Sequence, residues 1–332
     1  MSLKMFARLL AFPITACAGQ VFWMANYSPT DAISSAVWIP LLTYSWFCIG
    51  GLSHEILHEN LNIGKRLSVL IARIIGTVLG IPYTVYREIH MRHHAYLNTP
   101  LDWEMWPYGD PNASLRFRRI FVWFDILFAV IATPIIWSRI CYASSSPVAP
   151  EVRRVMRGEY LAVFLLWTSV VGTCVWLHQT GEFEFRWEHL IFAMPPILAT
   201  IANGFRKMMD HVGTSSFDPL HGTRTIIGRN FVTRAISFFN FDLAVHGPHH
   251  RYPKLKHSQL KDRMAEIAHA HPDESYPVYP SFFAAFVDTI RTIIRNPGVG
   301  LNSGCTDNLK HLPLDRLGKS PAVNSVAGSS VS

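Results

Sequence analysis

Long apolar runs separated by short polar links make up most of this chain, and histidines stand where several of those runs end. The first run, Met5 to Asn26, is flanked by Lys4 and contains Arg8. It imitates a secretion signal, but its apolar character continues past Cys17 through Val21-Phe22-Trp23-Met24, which predicts an uncleaved membrane helix. A second run, Ala32 to about Leu52, continues without a break into His54-Glu55-Ile56-Leu57-His58. Glu159 to Leu177 and Glu188 to Phe205 also have the length of a membrane span. Pro195-Pro196 is expected to kink the latter. Two further segments are interrupted, Ser68 to Tyr86 by Arg73, Gly76, Gly80 and Pro82, and Ile120 to Trp137 by Asp125 and Pro134. They read as interfacial or re-entrant.

Composition agrees with this pattern. Hydrophobic residues make up 49% of the 332 residues and charged residues 16%, below the roughly one quarter usual in soluble domains. If only the four uninterrupted runs cross the bilayer, every Lys and Arg but Arg186 falls on one side, which the positive-inside rule makes cytoplasmic. That arrangement puts both termini and all histidine-rich segments on the cytoplasmic side. The net charge of +7 flanks apolar spans and forms no patch with interleaved aromatics, so lipid headgroups or an acidic protein are the expected counterpart and nucleic acid is not. The five cysteines are scattered without a CxxC pair, which excludes a disulfide framework or iron–sulfur site. The predicted architecture is an all-α membrane protein: about four transmembrane helices, interfacial or re-entrant helices, and a cytoplasmic helical cap. It forms a single integral-membrane domain over residues 1–312, with a disordered tail over 313–332 rich in Ser, Gly, Ala and Val.

The candidate chemistry lies in the histidines. His90, His93 and His94 share one face of a helix at i, i+3 and i+4, and the same spacing returns as His246, His249 and His250. His54 and His58 form a third pair at helical spacing. His211 stands where the last span emerges, making nine candidate metal ligands. Nine imidazoles exceed one tetrahedral zinc and suit two metals. Taken alone, His54-Glu55-Ile56-Leu57-His58 fits the HExxH of a zinc metalloprotease, which would leave most of the other histidines idle. A non-catalytic metal-storing scaffold is a further alternative. Glu55 and Asp210, each beside a candidate ligand, are candidate acceptors for imidazole N–H. His178 and His189 flank the far-side loop, and His221, His257, His269, His271 and His311 lack partners at ligand spacing; all read as surface or capping residues. Trp103, Trp106 and Tyr108 read as an interfacial belt.

HxxxH, then HxxHH about thirty residues on, then a distant HxxHH after two more spans, resembles the membrane-bound fatty acid desaturase and hydroxylase superfamily. Residues 206–211, Thr223-Arg224-Thr225 and the Asn240-to-Pro253 stretch resemble its bacterial acyl-lipid desaturase branch, and the likeness covers roughly residues 30–265. The resemblance implies two iron ions, dioxygen as co-substrate, and oxidation of an unactivated C–H bond of a lipid, foremost desaturation of a long acyl chain. Hydroxylation or ketolation of a carotenoid, sterol or alkane is the rival reading of the same site. It further implies that one iron takes His54, His90, His94 and His249, and the other His58, His93, His211, His246 and His250. Some relatives carry an asparagine four residues before the equivalent of His211; here that position is Lys207, and the nearest asparagine is Asn203. Neither an HPGG haem motif nor a ferredoxin cysteine cluster is present, so an external ferredoxin or b-type cytochrome with its reductase is the implied electron donor. The basic run Arg251, Lys254, Lys256, Lys261 and Arg263 is a candidate docking face for it.

Overall fold

The computed structural model describes residues 3–61 and 63–303. The predicted tail, together with Cys305 and His311, lies outside the described residues. Helix α1 (Leu3–Ile14) passes through a π-helical turn (Thr15–Gly19) into α2 (Gln20–Ala25), so the first apolar run is one near-continuous helix. Helix α3 (Ala32–Leu57) begins where the Asp31 carboxylate accepts the Ser34 N–H. Its 26 residues rise about 39 Å, more than the roughly 30 Å of a bilayer core. The surplus turns at its C-terminal end are those that carry His54, with His58 as the C-cap.

Both interrupted segments are bent. Helices α4 (Lys65–Leu79) and α5 (Tyr83–Ala95) meet at 100°, and α6 (Leu115–Leu127) and α7 (Ala129–Tyr142) at 116°. The first bend follows from its residues. Gly80 adopts the left-handed conformation at φ +74°, and Pro82, just ahead of the new helix, cannot donate to the old one. Helix α8 (Pro150–Thr180) starts on a proline and ends on Gly181. A 3-10 turn (Trp187–Ala193) leads into α9 (Met194–His211). Pro195 and Pro196 lie in the first turn of α9, where no intrahelical N–H is needed, so they start this helix and do not kink a longer one.

Three helical stretches are long and apolar enough to cross a membrane, Arg8–Ala25, α3 and α8, or up to five if each bent pair is one span. The expected fourth span, α9, is not among the three because Arg206, Lys207 and Asp210 occupy its last turns. The chain is an all-α membrane protein. Beyond α9 come α10 (Phe231–Phe239), α11 (His246–Arg251), α12 (Leu260–Ala270) and α13 (Phe282–Arg295). The strand content of the described residues is one parallel pair, Thr225–Ile226 with Val278–Tyr279.

Two contacts bring the distant segments together. Helix α3 packs along α9, with Gly50 of the first against Asn203 of the second. Gly51 of α3 then lets the turn before α11 approach closely: a Cβ there would overlap Asn240 Oδ1. On that turn Asp242 is buried and accepts from Arg8 of α1 at 2.8 Å, from Lys261 at 2.7 Å and from Ser237 Oγ at 2.9 Å. The first and last parts of the fold are thus tied immediately beside the third histidine box.

Candidate metal centre

The nine histidines predicted as ligands converge into two adjacent groups. His54, His58, His90, His94 and His249 offer ring nitrogens within 4.8 Å of one another, as do His93, His211, His246 and His250. The two groups touch where the His94 and His250 rings stack, centroids 4.0 Å apart. One assignment changes: His58 belongs with His54 and His90, not with the second group. Residues i and i+4 of one helix lie on the same face, and His54 Nε2 and His58 Nε2 approach His90 Nε2 at 3.0 and 3.1 Å.

The ring nitrogens themselves test whether a metal fits. His90 Nε2 lies within hydrogen-bond distance of three other imidazole nitrogens, those of His54, His58 and His94. One ring nitrogen carries either one proton or one lone pair, so it cannot satisfy three such partners. His211 Nε2 is likewise 3.1 Å from His93 Nε2 and 2.9 Å from His246 Nε2. Lone pairs converging on a common point are what a bound cation requires. Three of the opposite nitrogens agree: His90 Nδ1 bonds Glu104 at 2.9 Å, His93 Nδ1 bonds Asp102 at 2.8 Å, and His246 Nδ1 bonds the Leu243 carbonyl at 3.2 Å. Such acceptors fix the tautomer with Nδ1 protonated and leave Nε2 for the metal. Burial, the dominant cause, pushes the imidazoles of His246, His249 and His250 well below their ordinary range, which keeps them neutral and competent to ligate. Burial would raise the Glu104 carboxyl, but His93, His90 and Lys207 around it and the His90 hydrogen bond outweigh that and hold it down to about 2.

Asp102 and Glu104 were not among the predicted acceptors. They stand in the loop after α5, and the only hint in the sequence is two acids soon after box two. Glu55, one of the two predicted, accepts from His257 Nδ1 at 3.2 Å and lies 3.6 Å from His54 Nδ1. The surface reading of His257 is therefore overturned, because it is buried against Glu55 and the Phe241 ring. The bonded, buried carboxylate is also unlike the free water-activating glutamate of an HExxH protease. Asp210 lies 3.8 Å from His246 Nδ1 and 3.6 Å from Arg206.

The remaining predictions divide. His178 and His189 each accept a backbone N–H in the exposed loop after α8, as a capping role requires. Tyr108 is fully buried and donates to Asp125 at 3.0 Å, so it is no part of an interfacial belt. Lys207 also pairs with Asp125, at 2.9 Å. In the basic run, Arg251 pairs with Asp218, Lys254 with Glu59, Lys261 with Asp242 and Arg263 with Glu266, so most of its charge is already answered within the chain.

A cavity of about 150 Å³ lies between α3, α4, α5, α7 and α9. Its apolar wall includes Trp46, Leu79, Ile81, Trp137 and Ala199, and its lining reaches Glu104, the partner of His90, and Arg206, the neighbour of Asp210. The cavity therefore joins an apolar wall to Glu104, which bonds His90, and to Arg206.

The family model of the fatty acid desaturases matches residues 33–283, well over half of the chain and all nine histidines. The chain belongs to the fatty acid desaturase family, and it is an oxidoreductase of that membrane-bound type.

Proposed function

We propose that this fatty acid desaturase family member holds two iron ions, one in each histidine group, and uses dioxygen to desaturate a long acyl chain entering from the bilayer. The observation that carries the reading is the convergence of nine ring nitrogens on two points, backed by the acceptors Asp102 and Glu104. The irons would supply the oxidant for an unactivated C–H bond. In the overall balance two hydrogens leave adjacent carbons, and dioxygen with two external electrons and two protons becomes two waters. The chain's own residues do the rest. His54, His58, His90, His94 and His249 would hold one ion, and His93, His211, His246 and His250 the other. Glu104 and Asp102 keep the Nδ1 protons of His90 and His93 in place, so the Nε2 lone pairs stay available. The apolar cavity wall excludes water from the reacting carbon.

The electrons come from a ferredoxin or a b-type cytochrome with its reductase, and the site and both termini lie on the cytoplasmic side, a reading supported by the skew of Lys and Arg. Two measurements test the proposal together. The purified protein should contain about two irons per chain, and a host expressing it should gain double bonds in its lipid acyl chains. New hydroxyl or keto groups in place of double bonds would move the reading to a hydroxylase. One zinc per chain, lost on His58→Ala alone, would sink it.

A further inference from the structure

The cavity changes character along its length. Pro196, Ala199, Thr200, Asn203 and Arg206 recur on one face of α9 and line it over a rise of about 15 Å. The end near Trp46 and Pro196 is apolar, whereas the end nearest the histidines holds Ser53, Asn203, Glu104, Arg206 and Lys207. Two of the three charges at that end are answered at hydrogen-bond distance: Glu104 by His90, and Lys207 by Asp125. Arg206 differs. Its Nε and Nη1 are buried with no hydrogen-bond partner among the described residues, and its nearest carboxylate, Asp210, stands 3.6 Å away. Its charge is felt in both histidine groups, at His249 of the first and at His246 of the second.

Buried guanidinium nitrogens with unmade hydrogen bonds are costly, and the terminal methyl of a chain laid against them would leave that cost in place. An oxygen acceptor would remove it. We infer that Arg206 binds the oxygen-bearing head of the lipid, a carboxylate or an ester carbonyl, so that the substrate lies with its polar end toward the histidines and its chain toward Trp46. This deepens the lipid reading above and rests on it. The carbon that reacts is then set by its distance from the head and not from the methyl end.

Binding of myristic acid, methyl myristate and tetradecane to the iron-loaded protein in detergent tests this orientation. At least one of the oxygen-bearing probes should bind about tenfold more tightly than tetradecane, or better, the gain expected of a hydrogen bond to a charged group. Preference for the acid alone identifies a carboxylate as the ligand, and preference for both identifies the carbonyl. Arg206→Met should erase the preference while leaving the iron content unchanged, and Arg206→Lys should keep part of it. Equal affinity of the wild type for all three probes would overturn the inference but leave the lipid reading standing. Loss of iron together with the preference in Arg206→Met would make Arg206 a support of the metal site and overturn it too. If the wild type bound none of the three, the lipid reading itself would fall, and this inference with it.

Discussion

Helix α8 and the stretch around α11 are built on opposite rules. In α8 the apolar residues Leu161, Phe164, Trp167, Val171 and Trp176 all face outward, and none of its most apolar window is buried within the protein. In α11 every residue from His246 to His250 is buried, although three of the five are histidines. The difference shows which solvent each region meets. Lipid accepts the apolar surface of α8 at no cost, whereas the polar cap must answer its own buried groups by hydrogen bonds or by metal. The interior of this protein is thus its more polar part at the level where the chemistry lies.

Substitutions can break that contrast, and their expected effects fall in a clear order. His94→Ala removes an imidazole from the five-membered group at the point where both groups touch. It should abolish product formation and lower bound iron, and full activity in this variant would refute the ligand assignment. Next, Val171→Arg puts a charge on the lipid face near the middle of α8. It should cost about 2.5–3.5 kcal/mol of insertion, read as loss of membrane-integrated protein. Asp102→Asn keeps the shape but weakens the acceptor for His93; iron affinity should fall about 10–100-fold, measured by chelator competition. His257→Ala leaves Glu55 without its partner and should cost about 1–3 kcal/mol of stability, with iron content close to wild type. His178→Ala, on the exposed far loop, should stay within about 0.5 kcal/mol in thermal unfolding and keep full activity.

What was legible in the chain follows from the same contrast. Apolar runs and histidines at helical spacing are local, periodic signals, so α3, α8 and all nine clustered histidines could be read directly. The acceptors could not. Asp102 and Glu104 lie nine and fourteen residues after the histidines they serve, in a loop whose path has no period. The grouping of His58 is a different case: the resemblance puts it with the second iron, whereas its i, i+4 spacing from His54 and the approach of both to His90 of α5 put it in the first group. Pro195-Pro196 looked like a kink because the apolar run continues through it, while the backbone begins a new helix there. The internal pairing of the basic run near α11 was not legible because its acidic partners Asp218, Glu59 and Asp242 are distant in sequence.

Two elements contribute to both histidine groups: α5 gives His90 and His94 to one and His93 to the other, and α11 gives His249 to one and His246 and His250 to the other. If each group holds an ion, as proposed above, an ion that orders these helices from one side also orders the ligands for the other, so the entropy of closing the site is lost once and not twice. Loading of the apoprotein should therefore be cooperative, with the half-loaded species scarce at every iron concentration. Two independent, equal binding steps in a titration of the apoprotein would show that the shared helices are already rigid before any metal arrives.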